Sequence, residues 1–186
     1  LHDRTLPALH EAILSLSSST NGDPHGTVKT LTEVHKEISN LIHTTPKWPP
    51  GTSDTDFLNM LRHSIQNEFS GEFDVIHWQL PETIPLLEDL SSDILFGAIR
   101  EAVRNAAVHA RGDNPKRALC LWITIDDQKP LRVSIRDDGV GLQSIQQSKR
   151  GNGSGLALHG TLLAFIGASL SLQEADEGGT IVWIAL

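Results

Sequence analysis

One stretch constrains the chain more than any other: residues 96–110, Phe-Gly-Ala-Ile-Arg-Glu-Ala-Val-Arg-Asn-Ala-Ala-Val-His-Ala. It is rich in alanine and its apolar residues recur at helical spacing, so it reads as a helix. At about 100° per residue, Leu95, Ile99, Ala102, Val103, Ala106 and Ala110 share one side, which should face a core. Glu101, Asn105 and His109, at i, i+4 and i+8, line the other side. An amide oxygen and a carboxylate are hard ligands that suit Mg²⁺ or its waters, and an imidazole can touch a phosphate. Taken alone, the row reads first as a solvated helix face. The rest of the chain decides between these.

Composition narrows the choice. The 186 residues carry a formal net charge of −8, so broad attraction to nucleic acid or to an anionic membrane is not expected. An anionic ligand would need a local site of backbone N–H groups, a metal or a few basic side chains. Cys120 is alone, which excludes a disulfide framework and a cysteine zinc site; its apolar surroundings predict a small buried hydrophobe. No signal peptide and no membrane-length apolar run is present, so the expected compartment is cytoplasmic. Residue 1 falls inside a helical pattern, as in a piece cut from a longer protein.

In chain order, residues 1–19 read as an amphipathic helix with Leu6, Leu9, Ile13 and Leu16 on its seam. Pro7 should bend it. After a polar turn at Ser17–Pro24, a second helix at about 26–43 carries Val28, Leu31, Val34, Ile38 and Leu41 on one stripe. Such a hairpin cannot cover its own stripe, and a two-chain, four-helix bundle solves the problem. His2-Asp3 sits at its start. An Asp beside a His can take its proton and prepare a nitrogen nucleophile; an exposed polar pair at a frayed end is the plain alternative, and His10-Glu11 competes for the role.

The Pro-rich residues 44–54 mark a domain boundary. The first domain is expected at 1–45, the linker at 46–54 and the second domain at 55–186. Beyond the linker the pattern predicts a helix at about 54–69, a strand at 73–79, a loop at 80–90, and the central helix capped by Ser91-Ser92-Asp93. Strands 118–126 and 131–136 form a hairpin. A helix at 155–167 and strands 169–174 and 180–186 close the chain. The expected fold is α+β, a helical hairpin followed by an α/β two-layer sandwich.

Three further pieces carry chemistry. Asp137-Asp138-Gly139-Val140-Gly141 ends a strand, where a fixed carboxylate can accept from an exocyclic amine and glycines admit a flat ring. Gly151-Asn152-Gly153-Ser154-Gly155-Leu156 opens a helix, whose free N–H groups and positive dipole end suit an anion. Gly178-Gly179-Thr180 enters the last strand with a hydroxyl. Each is weak alone.

In this order, behind Glu-x₃-Asn-x₃-His, the pieces resemble the ATP-binding domain shared by histidine kinases, gyrase and the Hsp90 chaperones, the GHKL fold, over about residues 55–186. With Leu1-His2-Asp3 and the hairpin included, the chain is similar to two-component sensor histidine kinases with a Leu-His-Asp phosphoacceptor. The resemblance implies ATP and Mg²⁺ as cofactors. Asn105 would ligate the metal; Glu101 would hold a metal-bound water or assist proton transfer; His109 would lie near the phosphates. Asp137 would bind the adenine amine between Gly139 and Gly141, with Thr180 beside the base. Gly153, Gly155 and Leu156 would form the phosphate side of a lid spanning the residues between Val140 and Gly151. His2 would be phosphorylated with help from Asp3, and the phosphate would pass to an aspartate on a response regulator receiver domain, the kinase acting as a homodimer. Two positions depart from the family pattern. Val108 stands where relatives carry a phosphate-binding Lys, unless Arg104, Arg111, Lys149 or Arg150 replaces it. Pro7 stands where many carry a Gln associated with dephosphorylating the regulator.

Overall fold

The computed structural model describes residues 54–85, 87–142 and 154–186. The helical hairpin, the 44–53 part of the linker, His2, Asp3, His10, Glu11, and the glycine-rich residues 143–153 with Lys149, Arg150 and Gly153 lie outside the described residues. The described part falls in the second of two units into which the chain divides, Trp48–Leu186.

Eight elements follow in order: α1 (Asp54–Phe69), β1 (Val75–Gln79), α2 (Asp89–His109), β2 (Cys120–Asp126), β3 (Arg132–Asp137), α3 (Ser154–Phe165), β4 (Ser169–Glu174) and β5 (Thr180–Ala185). The strands form one mixed sheet in the order β1-β2-β3-β5-β4, parallel only between β1 and β2. Period-2 alternation gives the sheet one apolar face. Leu121, Ile123 and Ile125 of β2, Val133 and Ile135 of β3, and Val182 and Ile184 of β5 are all buried. Phe57, Leu61, Ile65 and Phe69 of α1 and Leu95, Ile99, Ala102, Val103 and Ala106 of α2 complete the same core. This is the expected two-layer arrangement, helices over one sheet face. The opposite face is covered by its own side chains. In the row His77–Trp122–Arg136, the His77 and Trp122 rings stack at 5.1 Å and the Arg136 guanidinium lies 5.1 Å from the indole centre. Cys120 is half-buried rather than buried.

Element ends depart from the sequence reading where a side chain replaces a ladder bond. β1 and β2 were expected from 73 and 118, but start at Val75 and Cys120. Just before them, Asp74 N–H donates to Leu119 O (2.9 Å) while Leu119 N–H donates to the Asp74 carboxylate (2.8 Å), which ends the regular pairing. α2 starts at Asp89, ahead of the expected cap at 91–93; Glu88 is the extended N-cap residue and makes no side-chain cap bond. Asp89 in the first turn instead complements the positive helix end. α3 spans Ser154–Phe165, not 155–167.

Candidate functional site

The site begins with a strand that runs one step past its apolar run. Val133, Ile135 and Asp137 occupy successive core-facing positions of β3, so alternation delivers a carboxylate to the helix side of the sheet at the strand's end. β5 does the converse, entering with Thr180 ahead of Val182 and Ile184. The antiparallel register pairs Arg136 with Ile181, which puts Asp137 across from Thr180. Asp137 is only 5% exposed. Its Oδ1 accepts from Gly139 N–H at 2.9 Å and Thr180 N–H at 3.2 Å. Burial pushes its carboxyl above the ordinary Asp value of 3.8; those two amides pull it back, Asp138 pushes it up and Arg136 pulls it down. Both amides go to Oδ1, and Oδ2 takes neither. Asp138 does different work: its Oδ1 accepts from Cys120 N–H at 2.8 Å and ties the loop to β2.

Two glycines make the close approaches here. A Cβ at Gly139 would overlap the Ala110 carbonyl, and one at Gly179, whose φ is +91°, would overlap the Asp137 carbonyl. Val140 N–H donates to Ala110 O at 2.9 Å. The loop that follows Asp137 is therefore fastened to the C-terminal end of α2, five residues past Asn105, roughly 7.5 Å along the helix. Gly141, at φ +76°, faces the Glu174 carboxylate and the Gly179 carbonyl, which closes the loop against the turn before β5.

On α2 the expected row is present and half-buried: Glu101, Asn105 and His109. Asn105 Nδ2 donates to Glu101 O (2.8 Å) and to Glu101 Oε1 (3.0 Å). The nitrogen is so engaged, and Oδ1 takes no part in these two bonds. Glu101 is not a lone base. Arg104 grips it with Nε on Oε2 and Nη2 on Oε1, both at 2.8 Å. Gly155, in the first turn of α3, lies so close that a Cβ there would overlap the Glu101 carboxylate. The start of α3 thus reaches the Asn105-bearing face of α2, as the sequence reading requires of Gly155. Leu156 is partly buried against the core, which makes it a packing residue.

Three features were not foreseen. Ala110 anchors the Asp137 loop through its carbonyl. Asp74 engages Arg111 at 3.8 Å, and Arg111 donates to Glu72 O (2.6 Å) and Arg117 O (3.0 Å), so this cation is committed elsewhere. His159, one turn beyond Gly155, is 6% exposed, and its Nδ1 has no partner among the described residues. Burial lowers its pKa from 6.5, with Glu101 opposing and Arg104 and Arg100 reinforcing. The Gly155-x₃-His159 spacing was the available signal. A shallow cavity of about 330 Å³ lined by Arg132, Ser171 and Trp183 sits at the start of β3, the far end from Asp137.

A buried acid on backbone amides and a helix start over a carboxylate–carboxamide pair fit a purine nucleotide and a hard cation; the close glycines Gly139, Gly141 and Gly179 pack against the protein's own Ala110, Glu174 and Asp137. Residues 91–186 match the family described as histidine kinase-, DNA gyrase B- and HSP90-like ATPases. The chain is 24% identical over 106 residues to an anti-sigma F factor of Heyndrickxia coagulans, covering 53% of this chain and 69% of that protein. Among solved structures, it is similar to the histidine kinase domain of the blue-light activated histidine kinase from Erythrobacter litoralis (TM-score 0.56, 18% identity, 98% of this chain and 85% of that one). It is also similar to the mycobacterial sensor histidine kinase MprB (TM-score 0.52, 18% identity, 73% of this chain and 95% of that one).

Proposed function

The chain belongs to the histidine kinase-, DNA gyrase B- and HSP90-like ATPase family, and from that premise we propose that it is the ATP-dependent protein-histidine kinase core of a two-component system. The observation that carries the reading is the buried Asp137 carboxylate, fixed by two backbone amides at the strand end and fastened through Val140 to the helix that bears Asn105.

Bound ATP supplies a transferable γ-phosphoryl group, and Mg²⁺ spreads its charge. The chain's residues bind and orient. Asp137 Oδ2 accepts the adenine amine, and the backbone at Gly139 and Gly141 lines the ring, with Thr180 beside it. Asn105 Oδ1 ligates the cation. Glu101 holds Asn105 in register and is the acid nearest the phosphates. His109 lies one turn farther along the same face. The α3 start, with Gly155 in its first turn, receives the phosphates through helix-end N–H groups, and Gly153 is the proposed neighbour on the phosphate side. His2 is the proposed acceptor, with Asp3 taking its proton, in a homodimer formed by the hairpin. The phosphate then passes to a receiver-domain aspartate. Such transfer rests on positioning and charge stabilisation, which these groups supply.

A second reading is an ATP-binding regulatory module without phosphotransfer. The uncharged Val108, 63% exposed on α2, favours it. Incubating the full chain with ATP labelled at the γ-phosphate separates the two. Acid-labile, base-stable label that disappears in His2→Ala supports the kinase. ATP binding without any label supports the regulatory module.

A further inference from the structure

At the junction of α2 and α3, positive groups crowd one acid. Arg104 grips Glu101 through two 2.8 Å bonds, with its own side chain 56% exposed and that of Glu101 12%. A Cβ on Gly155 would lie 3.7 Å from Arg104 Nη2, so the guanidinium stands beside the first turn of α3, where N–H groups lack helix partners. The dipole end is positive as well. Beneath them His159 is buried, with Nδ1 unpartnered among the described residues, within the fields of Glu101, Arg104 and Arg100. Glu101 is the acid that Arg104 and Asn105 grip here. The other arginines of this region are held away from it, Arg100 by Glu68 (2.5 Å) and Arg111 by Asp74 and two carbonyls. Val108, four residues on and on the same side of α2 as Arg104, brings no charge.

We propose that Arg104 is a phosphate-binding residue that selects phosphorylated nucleotides over the nucleoside, and that its pairing with Glu101 is the resting state of the site. The inference rests on the nucleotide-binding reading above. The guanidinium is 56% exposed and so open to a ligand, and it can bind phosphate through the same two parallel charge-assisted bonds that it now gives Glu101. A polyphosphate at the α3 start therefore draws Arg104 off Glu101. The same exchange frees the Glu101 carboxylate at the moment the cation arrives beside Asn105, so Arg104 couples phosphate binding to exposure of the acid.

The test is calorimetric titration of the full chain with ATP and with adenosine, without Mg²⁺. Arg104→Gln should weaken ATP binding roughly tenfold or more and leave adenosine binding unchanged, while Arg104→Lys keeps part of the ATP affinity. Glu101→Gln removes the competing acid and should tighten ATP binding severalfold. These opposite signs are the signature, because a purely structural ion pair gives both variants the same direction. Unchanged ATP affinity in Arg104→Gln, an equal loss for adenosine, or weaker ATP binding in Glu101→Gln overturns the proposal. A wild-type chain that binds neither ligand sinks the nucleotide reading itself; a wild-type chain that binds ATP beside an indifferent Arg104→Gln sinks only this inference.

Discussion

Asp137 and Glu101 are two carboxylates at opposite ends of one candidate site, and they are held by different means. Asp137 receives backbone N–H groups from Gly139 and Thr180, donors fixed by a clamped turn and by the start of an interior strand. Glu101 receives side chains, Arg104 and Asn105, which can turn away. Backbone donors give a group whose place does not depend on the ligand; side-chain donors give one that can change partners. On the proposed reading, the strand-end acid is prebuilt for a planar base, and the helix junction is built to rearrange when charge arrives. Preorganisation at one end and exchange at the other is a division that suits a ligand with a rigid ring and a flexible, highly charged tail.

The comparison can be broken at several places. The largest effect is expected from Gly139→Val. Its side chain has nowhere to go against Ala110, so the loop must leave α2; nucleotide binding should vanish and thermal unfolding should drop by many degrees, both readable in one ligand-shift melting series. Asp137→Asn comes next. Its amide would present a donor to the adenine amine, and ATP affinity should fall roughly a hundredfold. Stability should respond differently. The native Asp137 carboxyl keeps its proton to higher pH than the unfolded one, so its contribution is favourable below 3.8 and is lost as pH rises through the native value. At neutral pH the ligand-free Asn variant should therefore unfold at or above the wild-type temperature, and a marked drop would mean that Asp137 is a structural residue.

Asn105→Ala should leave Mg²⁺-free nucleotide binding within a few-fold and remove the enhancement that Mg²⁺ gives, a split that locates the cation on the helix rather than at the strand end. The smallest effect concerns His159. Its native pKa is depressed below 6.5 by burial, so the unfolded chain takes up the proton first as pH falls. Stability should be full above about 6.5 and decline below it. His159→Met should flatten that slope in a pH series of melting temperatures, and an unchanged slope would assign it to other groups.

Much of this was legible in residue order. The Asp137 end was readable because Val133-x-Ile135-x-Asp137 carries a period-2 pattern to its last residue, and Glu101-x₃-Asn105 carries a helical one. Local periodicity places such groups on a face without reference to the rest of the chain. Contacts made across long separations were not readable. Nothing near Ala110 announces that its carbonyl will hold Val140, thirty residues on. The Asp74 carboxylate shortens β1 and β2 by capturing an amide 45 residues away. Glu101 read as an open acid because its partner, Arg104, looked like an exposed cation on a neighbouring face; the i, i+3 reach of two long side chains undid that distinction. His159 passed unnoticed in an apolar helix because its burial against α2 depends on tertiary packing.

The claim on which the account depends is that Asp137 and Asn105 serve one ligand. A crystal structure of the chain with Mg²⁺ and a non-hydrolysable ATP analogue tests it directly. The account predicts one nucleotide, its adenine amine on Asp137 Oδ2 and its cation on Asn105 Oδ1, with Arg104 moved from Glu101 to the phosphates. A nucleotide bound away from Asp137, or a cation bound elsewhere than Asn105, would contradict it.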